Sequence, residues 1–443
     1  MSPHLARRVE QLKTSLWTLP LAAVVLGSLL GLVLPALDRD RFLHTALSRP
    51  AWLEQLLQLP GSQARSLLGT LASAVATALG VLFSITIVAL QLASTQYSPR
   101  VLRRFMGDRP TQAVLAVFIA AVAYLVVVAL SLPQGAAPPR LSLLGAILLA
   151  LLCFCLVGYF LHHLARSIDA ATIVRSIGQD TEATLRRLRV EPTPQVATPA
   201  TTPRLLRSAT AGYLELVDEQ HLLRAAPPGT KVMRIEVRTG DFVLPGLPLV
   251  AIWPATDLDQ RTCKRLHLGF AFAQQRSLDQ DVLFGVRQLV DVSLKALSPA
   301  INDVTTAYMA VNEIGVVIQR FLSRDGAVED GWRVERRAGC ELHVPSVGLR
   351  TLLRHAFDEI ARSSSAQLRV PARMFEVMGQ AILATGPNEA QRKAMAEAAR
   401  WIHGSVAVAE STPIEKQEFE ERYRWLLQLA AGVVHEEREP ALH

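Results

Sequence analysis

The distribution of apolar residues divides the chain into two unequal parts. Long runs without a charged residue occur only before about residue 165, and the remainder alternates short apolar and polar groups. A helix needs about 20 apolar residues, at about 1.5 Å each, to cross about 30 Å of hydrocarbon. Four runs are long enough, so the pattern predicts a transmembrane domain over 1–165 with four helices, at 16–37, 67–93, 111–132 and 141–161.

The second predicted span carries a repeated polar signal. Its uncharged stretch runs from Ser66 to Pro99, about 50 Å at helical rise, which exceeds the bilayer core. Small and polar residues recur along it at steps of three and four, broken at Ile87, and they are Thr70, Ser73, Thr77, Gly80, Ser84 and Gln91. This pattern is typical of close helix packing. A wetted stripe that lines a pathway in an oligomer is the alternative interpretation.

Basic residues flank the spans unequally and predict their orientation. Arg100, Arg103, Arg104 and Arg109 lie between the second and third spans, and further basic residues precede the first span and follow the fourth. Positively charged loops stay on the inner side, so the pattern predicts a multi-pass protein of the bacterial inner membrane with both termini in the cytoplasm. The four arginines form a predicted lipid-facing basic collar that would bind anionic headgroups.

The second part of the chain predicts a mixed α+β cytoplasmic region. A helix and a Pro/Thr-rich linker are predicted for 166–206, a small β-barrel-like module for 207–256, and a mostly helical domain for 257–443. In the module, short runs rich in β-branched residues are separated by glycine and proline turns. The predicted fold class is therefore an α-helical integral membrane protein with an α+β C-terminal region.

The segment from Arg276 to Asp303 holds the densest group of polar residues. Apolar residues step by three and four from Leu283 to Leu297, which predicts a helix with one buried face that ends at Ser298-Pro299. A salt-bridged helix pair with a capped turn is one interpretation. A pocket for an ion or small ligand is another, and catalysis by the carboxylates is a third. The candidate pocket residues are Asp279, Asp281, Arg287, Asp291, Asn302 and Asp303.

Composition narrows the classes of function. The net charge of +7 could favour nucleic acid, but the basic residues lie beside apolar segments without interleaved aromatic residues. The expected partners are therefore the lipid bilayer and its anionic headgroups, and not nucleic acid. The four cysteines show no metal-ligand spacing, and no nucleotide-binding or hydrolase motif is present. No cofactor and no metal are predicted, and enzymatic activity is not favoured.

Two segments resemble a known family. They run from Phe83 to Phe105 and from Gln280 to Asp303. In both, and over nearly its whole length, the chain resembles the bacterial predicted membrane proteins called domain of unknown function 2254. The resemblance implies a bacterial inner-membrane protein but no particular activity. Val304 stands where the resemblance leads us to expect proline, which implies a less rigid turn.

Three hypotheses of function follow. The first is a homo-oligomeric, channel-like or transport-related protein whose second span lines a pathway or a packing core, and whose cytoplasmic domain gates or regulates it. The second is a membrane-anchored ligand sensor or scaffold without a pathway. The third is a membrane-bound enzyme. No substrate, ion or small ligand is predicted.

Overall fold

The structure, a computed structural model, describes residues 18–37, 60–96, 108–132, 140–188, 199–255, 257–324, 327–364, 367–406 and 412–433. The chain separates into two compact units, and the second begins at Ala170. The first unit, called here the membrane unit, contains four long helices. The second, called the C-terminal unit, contains two β-sheets and nine helices among the described residues.

The membrane unit consists of α1 (Thr18–Leu37), α2 (Gly61–Gln96), α3 (Arg109–Ser131) and α4 (Arg140–Ser167). All four are long and apolar enough to cross a membrane, which confirms the four predicted spans. α2 begins six residues before the predicted start, and its 36 residues extend about 54 Å. Such a helix must tilt or continue beyond the hydrocarbon core.

The core of the membrane unit is built around α3, whose Phe118 and Leu125 are fully buried. α1 approaches α3 closely at Gly27, where a Cβ atom would lie 2.3 Å from the carbonyl oxygen of Ala120. Tyr124 of α3 donates its hydroxyl to the carbonyl of Ser142 at 2.8 Å, which links α3 to α4. Small residues and buried hydrogen bonds of this kind hold helices together in lipid.

The C-terminal unit alternates helices and strands. Its helices are α5 (Ala170–Arg187), α6 (Glu219–Ala225), α7 (Gln260–His267), α8 (Val282–Ala296), α9 (Val304–Leu322), α10 (Leu349–Ser363), α11 (Arg369–Thr385), α12 (Glu389–Ser405) and α13 (Pro413–Ala430). Its strands are β1 (Arg204–Arg207), β2 (Gly212–Val217), β3 (Val232–Ile235), β4 (Phe242–Val243), β5 (Pro248–Trp253), β6 (Phe270–Ala273), β7 (Gly331–Arg337) and β8 (Cys340–Ser346). A mixed helical and β C-terminal region is thereby confirmed.

The strands form two open sheets rather than a barrel. One sheet has the order β1-β5-β3-β8-β7 and the other β4-β2-β6. The small β-barrel-like module predicted for 207–256 is therefore wrong. The physical reason is that β3 pairs in parallel with the distant β8, with Val232 opposite Glu341, and β2 pairs with β6, so strands outside that range complete both sheets.

The helices of the C-terminal unit pack mainly on one another. α8 contacts α5, α9 and α10, and α9 also contacts α5 and α11. The buried face of α8 includes Val286, Leu289 and Val290, which are fully shielded from solvent. Val286 and Val290 belong to the stripe that the three- and four-residue steps predict, whereas its other members, Leu283, Leu294 and Leu297, are only partly buried.

Candidate functional site

Asp281 lies at the N-terminus of α8 and is held from two sides. Its Oδ1 accepts the Phe284 amide at 3.0 Å, as an N-cap residue does. Arg276 donates to both carboxylate oxygens, at 2.8 Å from Nε and 3.0 Å from Nη2. Only 4% of the residue is exposed, so burial raises the pKa of the Asp281 carboxyl, and the Arg276 ion pair opposes this rise without cancelling it.

The turn before β4 and the loop before α8 both lie beside this carboxylate. Gly240 has a φ of +93°, and a Cβ atom there would lie 2.0 Å from Asp281 Oδ2. Gln280 accepts the Val217 amide at 2.9 Å and donates to the Val217 carbonyl at 3.1 Å. Asp279 accepts a hydrogen bond from the nearby Ser277 hydroxyl at 3.2 Å. These polar groups therefore join β2, the turn before β4 and α8.

Arg287 and Asp291 lie one turn apart on α8 and link it to α10. The Nε of Arg287 donates to Asp291 Oδ1 at 2.7 Å, and its Nη1 contacts the carboxylate of Glu359 on α10. The first contact is the i, i+4 ion pair that a helix surface favours. The second is tertiary, and it makes Arg287 a bridge between two helices.

Asn302 and Asp303 lie beyond the other end of α8. Asp303 is the N-cap of α9, since it accepts the Thr306 amide at 3.0 Å and the Thr306 hydroxyl at 2.5 Å. Its own amide donates to the Ala296 carbonyl at 2.8 Å, which ties the turn to the end of α8. Asn302 has a φ of +49°, a left-handed conformation that asparagine adopts more readily than most residues.

The six candidate pocket residues therefore form separate groups. The 15 residues of α8 extend about 22 Å and separate Asp279 and Asp281 from Asn302 and Asp303. Arg287 and Asp291 lie on the helix between them. Within the described ranges, no cluster of three or more His, Cys, Asp or Glu residues is arranged to hold a metal ion. The ligand pocket stays a prediction, and its candidate residues lie at the two ends and along the middle of α8.

Glu313 is a further carboxylate of the C-terminal unit, and nothing in the sequence pattern singles it out. It lies on α9 and faces α5, where a Cβ atom on Gly178 would be 2.1 Å from its Oε2. Burial raises the pKa of Glu313; attraction to Arg175 opposes this rise, and repulsion from Glu182 adds to it. Glu313 becomes noticeable only in the structure, because Gly178 of another helix lies close to its carboxylate.

The polar stripe of α2 faces away from the other helices of the membrane unit. α2 packs into the unit's core through residues spaced by seven, here called the α2 seam, which are Leu68, Val75, Leu82 and Ala89. At about 100° per residue, the centre of the stripe lies about 180° from this seam. The stripe residues are all exposed, and they are Thr70, Ser73, Thr77, Gly80, Ser84 and Gln91.

Three of the four hydroxyl groups of the stripe donate hydrogen bonds within α2 itself. Thr70, Thr77 and Ser84 donate to the carbonyl oxygens four residues earlier, at 2.9, 2.8 and 3.0 Å. A Cβ atom added at Gly80 would meet no other atom within 4 Å. From Thr70 to Ser84 the stripe is therefore a face of small side chains, and beyond Ser84 the same side of α2 exposes Ile87 and Val88.

A polar pair at one end of α3 joins two helices of the membrane unit. Asp108 caps α3 by accepting the Thr111 amide at 3.0 Å, and the same Oδ2 lies 2.8 Å from Nε2 of His163 on α4. The signal for the cap was present in the sequence, since Asp108 precedes Arg109-Pro110 and an apolar run. Of the basic collar, Arg109 is the first residue of α3. Arg100, Arg103 and Arg104 lie outside the described residues.

Comparison with known proteins identifies the family. The profile of the family described as "Predicted membrane protein (DUF2254)" matches residues 13–380. The chain belongs to the DUF2254 family. An uncharacterized protein of Mycobacterium tuberculosis (strain H37Rv), Rv1290c, is 31% identical over 389 residues, covering 84% of this chain and 72% of that protein. The corresponding uncharacterized protein of Mycobacterium bovis, Mb1321c, gives the same values. No solved structure gives a significant match.

The DUF2254 match spans all four membrane helices and ends within α11, so α12 and α13 lie beyond it. The family's description as a membrane protein agrees with the four apolar helices. Both segments that carry the resemblance lie inside the match. Val304, where the DUF2254 resemblance leads us to expect proline, is the first residue of α9, a position that favours proline because its amide has no partner within the helix.

Proposed function

We propose that this DUF2254 protein is a homo-oligomer of the bacterial inner membrane, in which the polar stripe of α2 forms the contact between copies and lines a channel-like or transport-related pathway. The C-terminal unit lies in the cytoplasm and regulates the assembly. The observation that carries this proposal is the exposure of the whole stripe on the side of α2 opposite the α2 seam.

Association through this face follows from the physics of helices in lipid. Lipid tails are as apolar as leucine, so a leucine-rich face gains little by leaving them. Small residues instead allow two helix backbones to approach, which increases van der Waals contact. Gly80, with open space above it, lies between Thr77 and Ser84 and supplies such a surface.

The proposed orientation rests on the basic residues. Arg109 begins α3, and Arg166 lies in the last turn of α4, so these two helix ends, which lie on the same side, both carry positive charge. Positive residues of short loops remain on the cytoplasmic side. The chain of the C-terminal unit leaves the membrane at this end of α4, which supports a cytoplasmic location.

A matched pair of glycine substitutions tests the association. Gly80→Leu places a large side chain on the stripe, and Gly158→Leu places the same side chain on α4, where a Cβ atom also meets nothing within 4 Å. In lipid nanodiscs, mass measurement should give a multiple of 48.4 kDa for the wild type and for G158L, and a smaller assembly for G80L. A monomeric wild type, or equal masses for both variants, would contradict the proposed contact.

The pathway is tested separately, by ion and small-solute flux into vesicles that contain the wild type or T77V. The valine keeps the shape of the side chain but removes its hydroxyl, so flux should fall while the oligomer persists. An oligomer without any flux would overturn the pathway and leave the stripe as a packing core.

A further inference from the structure

One turn of the C-terminal unit exposes an unusual number of large apolar side chains. Around the connection from β4 to β5, Phe242 is 53% exposed, Leu244 55% and Leu247 43%. Leu268, directly after α7, is 46% exposed. Large apolar side chains grouped on a surface mark sites of interaction with a protein or a membrane.

Leu268 belongs to the same surface as the turn, because Arg207 connects them. The Nη1 of Arg207 donates to the Gly246 carbonyl at 2.7 Å. The Arg207 carbonyl lies 2.8 Å from Nε2 of His267, the residue before Leu268. The segments that carry the four apolar side chains therefore lie next to each other, and the four residues together are called here the apolar turn surface.

The backbone of this turn is largely satisfied from within. The Gly246 amide donates to the Ser208 carbonyl at 2.8 Å, and the Leu247 amide to the Leu244 carbonyl at 3.2 Å. The Ser208 amide donates to the Leu247 carbonyl at 2.8 Å. Pro245 has no N–H group to satisfy. An unpaired peptide group is costly in lipid, where no water is available as a partner. Because several of its peptide groups are hydrogen-bonded, such a turn can move from water into the edge of a bilayer.

Positive charge borders the apolar turn surface. Arg207, Lys264 and Arg265 are exposed. Lys264 and Arg265 precede Leu268 by four and three residues, at the end of α7, so they lie beside it. Asp241, the acid next to Phe242 in the chain, directs its Oδ2 to the Arg238 amide at 2.9 Å. Apolar side chains bordered by basic ones are complementary to an anionic phospholipid bilayer, whose interior is apolar and whose headgroups are negatively charged.

We propose that the apolar turn surface docks onto an anionic phospholipid bilayer, with Phe242, Leu244, Leu247 and Leu268 at the level of the acyl boundary and Lys264 and Arg265 on the phosphates. A bilayer is always near, since the same chain carries four membrane-spanning candidates. This docking is independent of the proposed association through α2, because it involves a different surface and a different partner.

A photo-reactive residue at Leu244 tests the docking in the full-length protein. Benzoylphenylalanine replaces Leu244 in protein reconstituted into vesicles of phosphatidylglycerol and phosphatidylethanolamine, and adducts are identified by mass after illumination. We expect the added mass of one phospholipid, with a yield several-fold lower in vesicles of phosphatidylcholine alone. The control position is Ile414, which is 77% exposed at the start of α13 and should give no lipid adduct.

A reversal of the positive charges beside Leu268 gives a second test of the docking. K264E combined with R265E should lower the adduct yield about fivefold, while the K393E control on α12, which is also exposed, should leave it unchanged. Equal unfolding midpoints of the variants show that the fold is kept. A cross-linked dimer at Leu244 would show a contact between copies, and the absence of any adduct would show a surface that faces water; either result overturns the docking but not the α2 contact.

Discussion

Several aspartates of the C-terminal unit lie at the N-termini of helices and act there as caps. Asp281 caps α8, Asp303 caps α9 and Asp259 caps α7, each by accepting the amide three residues later. Such a cap contributes about 1 kcal/mol to stability. The ion pair between Asp281 and Arg276 adds a tie to the preceding loop. These contacts favour the interpretation of a salt-bridged pair of capped helices, which requires no ligand.

Glu313 gives a prediction with a defined pH dependence. Its pKa is raised in the folded protein, so the carboxylate is less stable there than in the unfolded chain. The contribution of Glu313 to the free energy of unfolding is therefore fully present below its pKa in the unfolded chain, about 4.5. This contribution is lost as the pH rises through the pKa of Glu313 in the folded protein. E313Q should raise the unfolding midpoint at pH 7 by on the order of 2 °C, and the gain should vanish below pH 4.

Thermal unfolding of the detergent-solubilised protein across this pH range provides the measurement. E418Q serves as the control, since Glu418 is exposed and its substitution should change little at either pH. A midpoint for E313Q that equals or falls below the wild type at pH 7 would mean that the carboxylate stabilises the fold, contrary to this expectation.

At the scale of elements, α1 and α3 meet closely at a glycine. Gly27 of α1 lies against the backbone of α3, where a Cβ atom would be 2.3 Å from the Ala120 oxygen, a distance that backbone atoms cannot accommodate without moving. G27A should therefore push the two helices apart and destabilise the membrane unit by about 1–3 kcal/mol. G158A adds the same methyl group in open space and should be neutral. The unfolding midpoints in detergent compare the two variants, and equal values would argue against the close contact.

Elements with a regular apolar period are predictable from the sequence, and those that depend on distant partners are not. The apolar steps from Leu283 to Leu297 predict a helix that the structure places at Val282–Ala296. The parallel pairing of β3 with β8 joins segments far apart in the chain, so the local pattern suggested a closed module that does not exist. Short elements such as α6 and β6 have too few residues for a period to be visible.

The sequence also predicts part of the candidate site, namely the residue that caps a helix. Asp303 reads as a helix cap from its position after Ser298-Pro299, and the structure places it at the start of α9. The contact between Arg287 and Glu359 and the approach of Gly240 to Asp281 arise from tertiary packing. The sequence therefore indicates which polar residues lie at the two ends of α8, but not these tertiary contacts.

At the scale of the whole molecule, the chain combines four apolar helices with a larger C-terminal unit, and its family is described as a membrane protein. Among the membrane helices, α2 has the smallest buried share of its apolar length. Its outward face carries hydroxyl groups and glycine from Thr70 to Ser84, beside exposed apolar residues such as Val81 and Ile87. Self-association through that face is the central claim.

Cysteine cross-linking in the membrane tests this claim most directly. In a chain whose four native cysteines are replaced by alanine, T77C places a thiol on the stripe, and L148C places one on α4 at a position that is 57% exposed. Mild oxidation should join two T77C chains into a species of twice 48.4 kDa and leave L148C monomeric. Cross-linking of L148C alone, or of neither variant, would contradict association through α2.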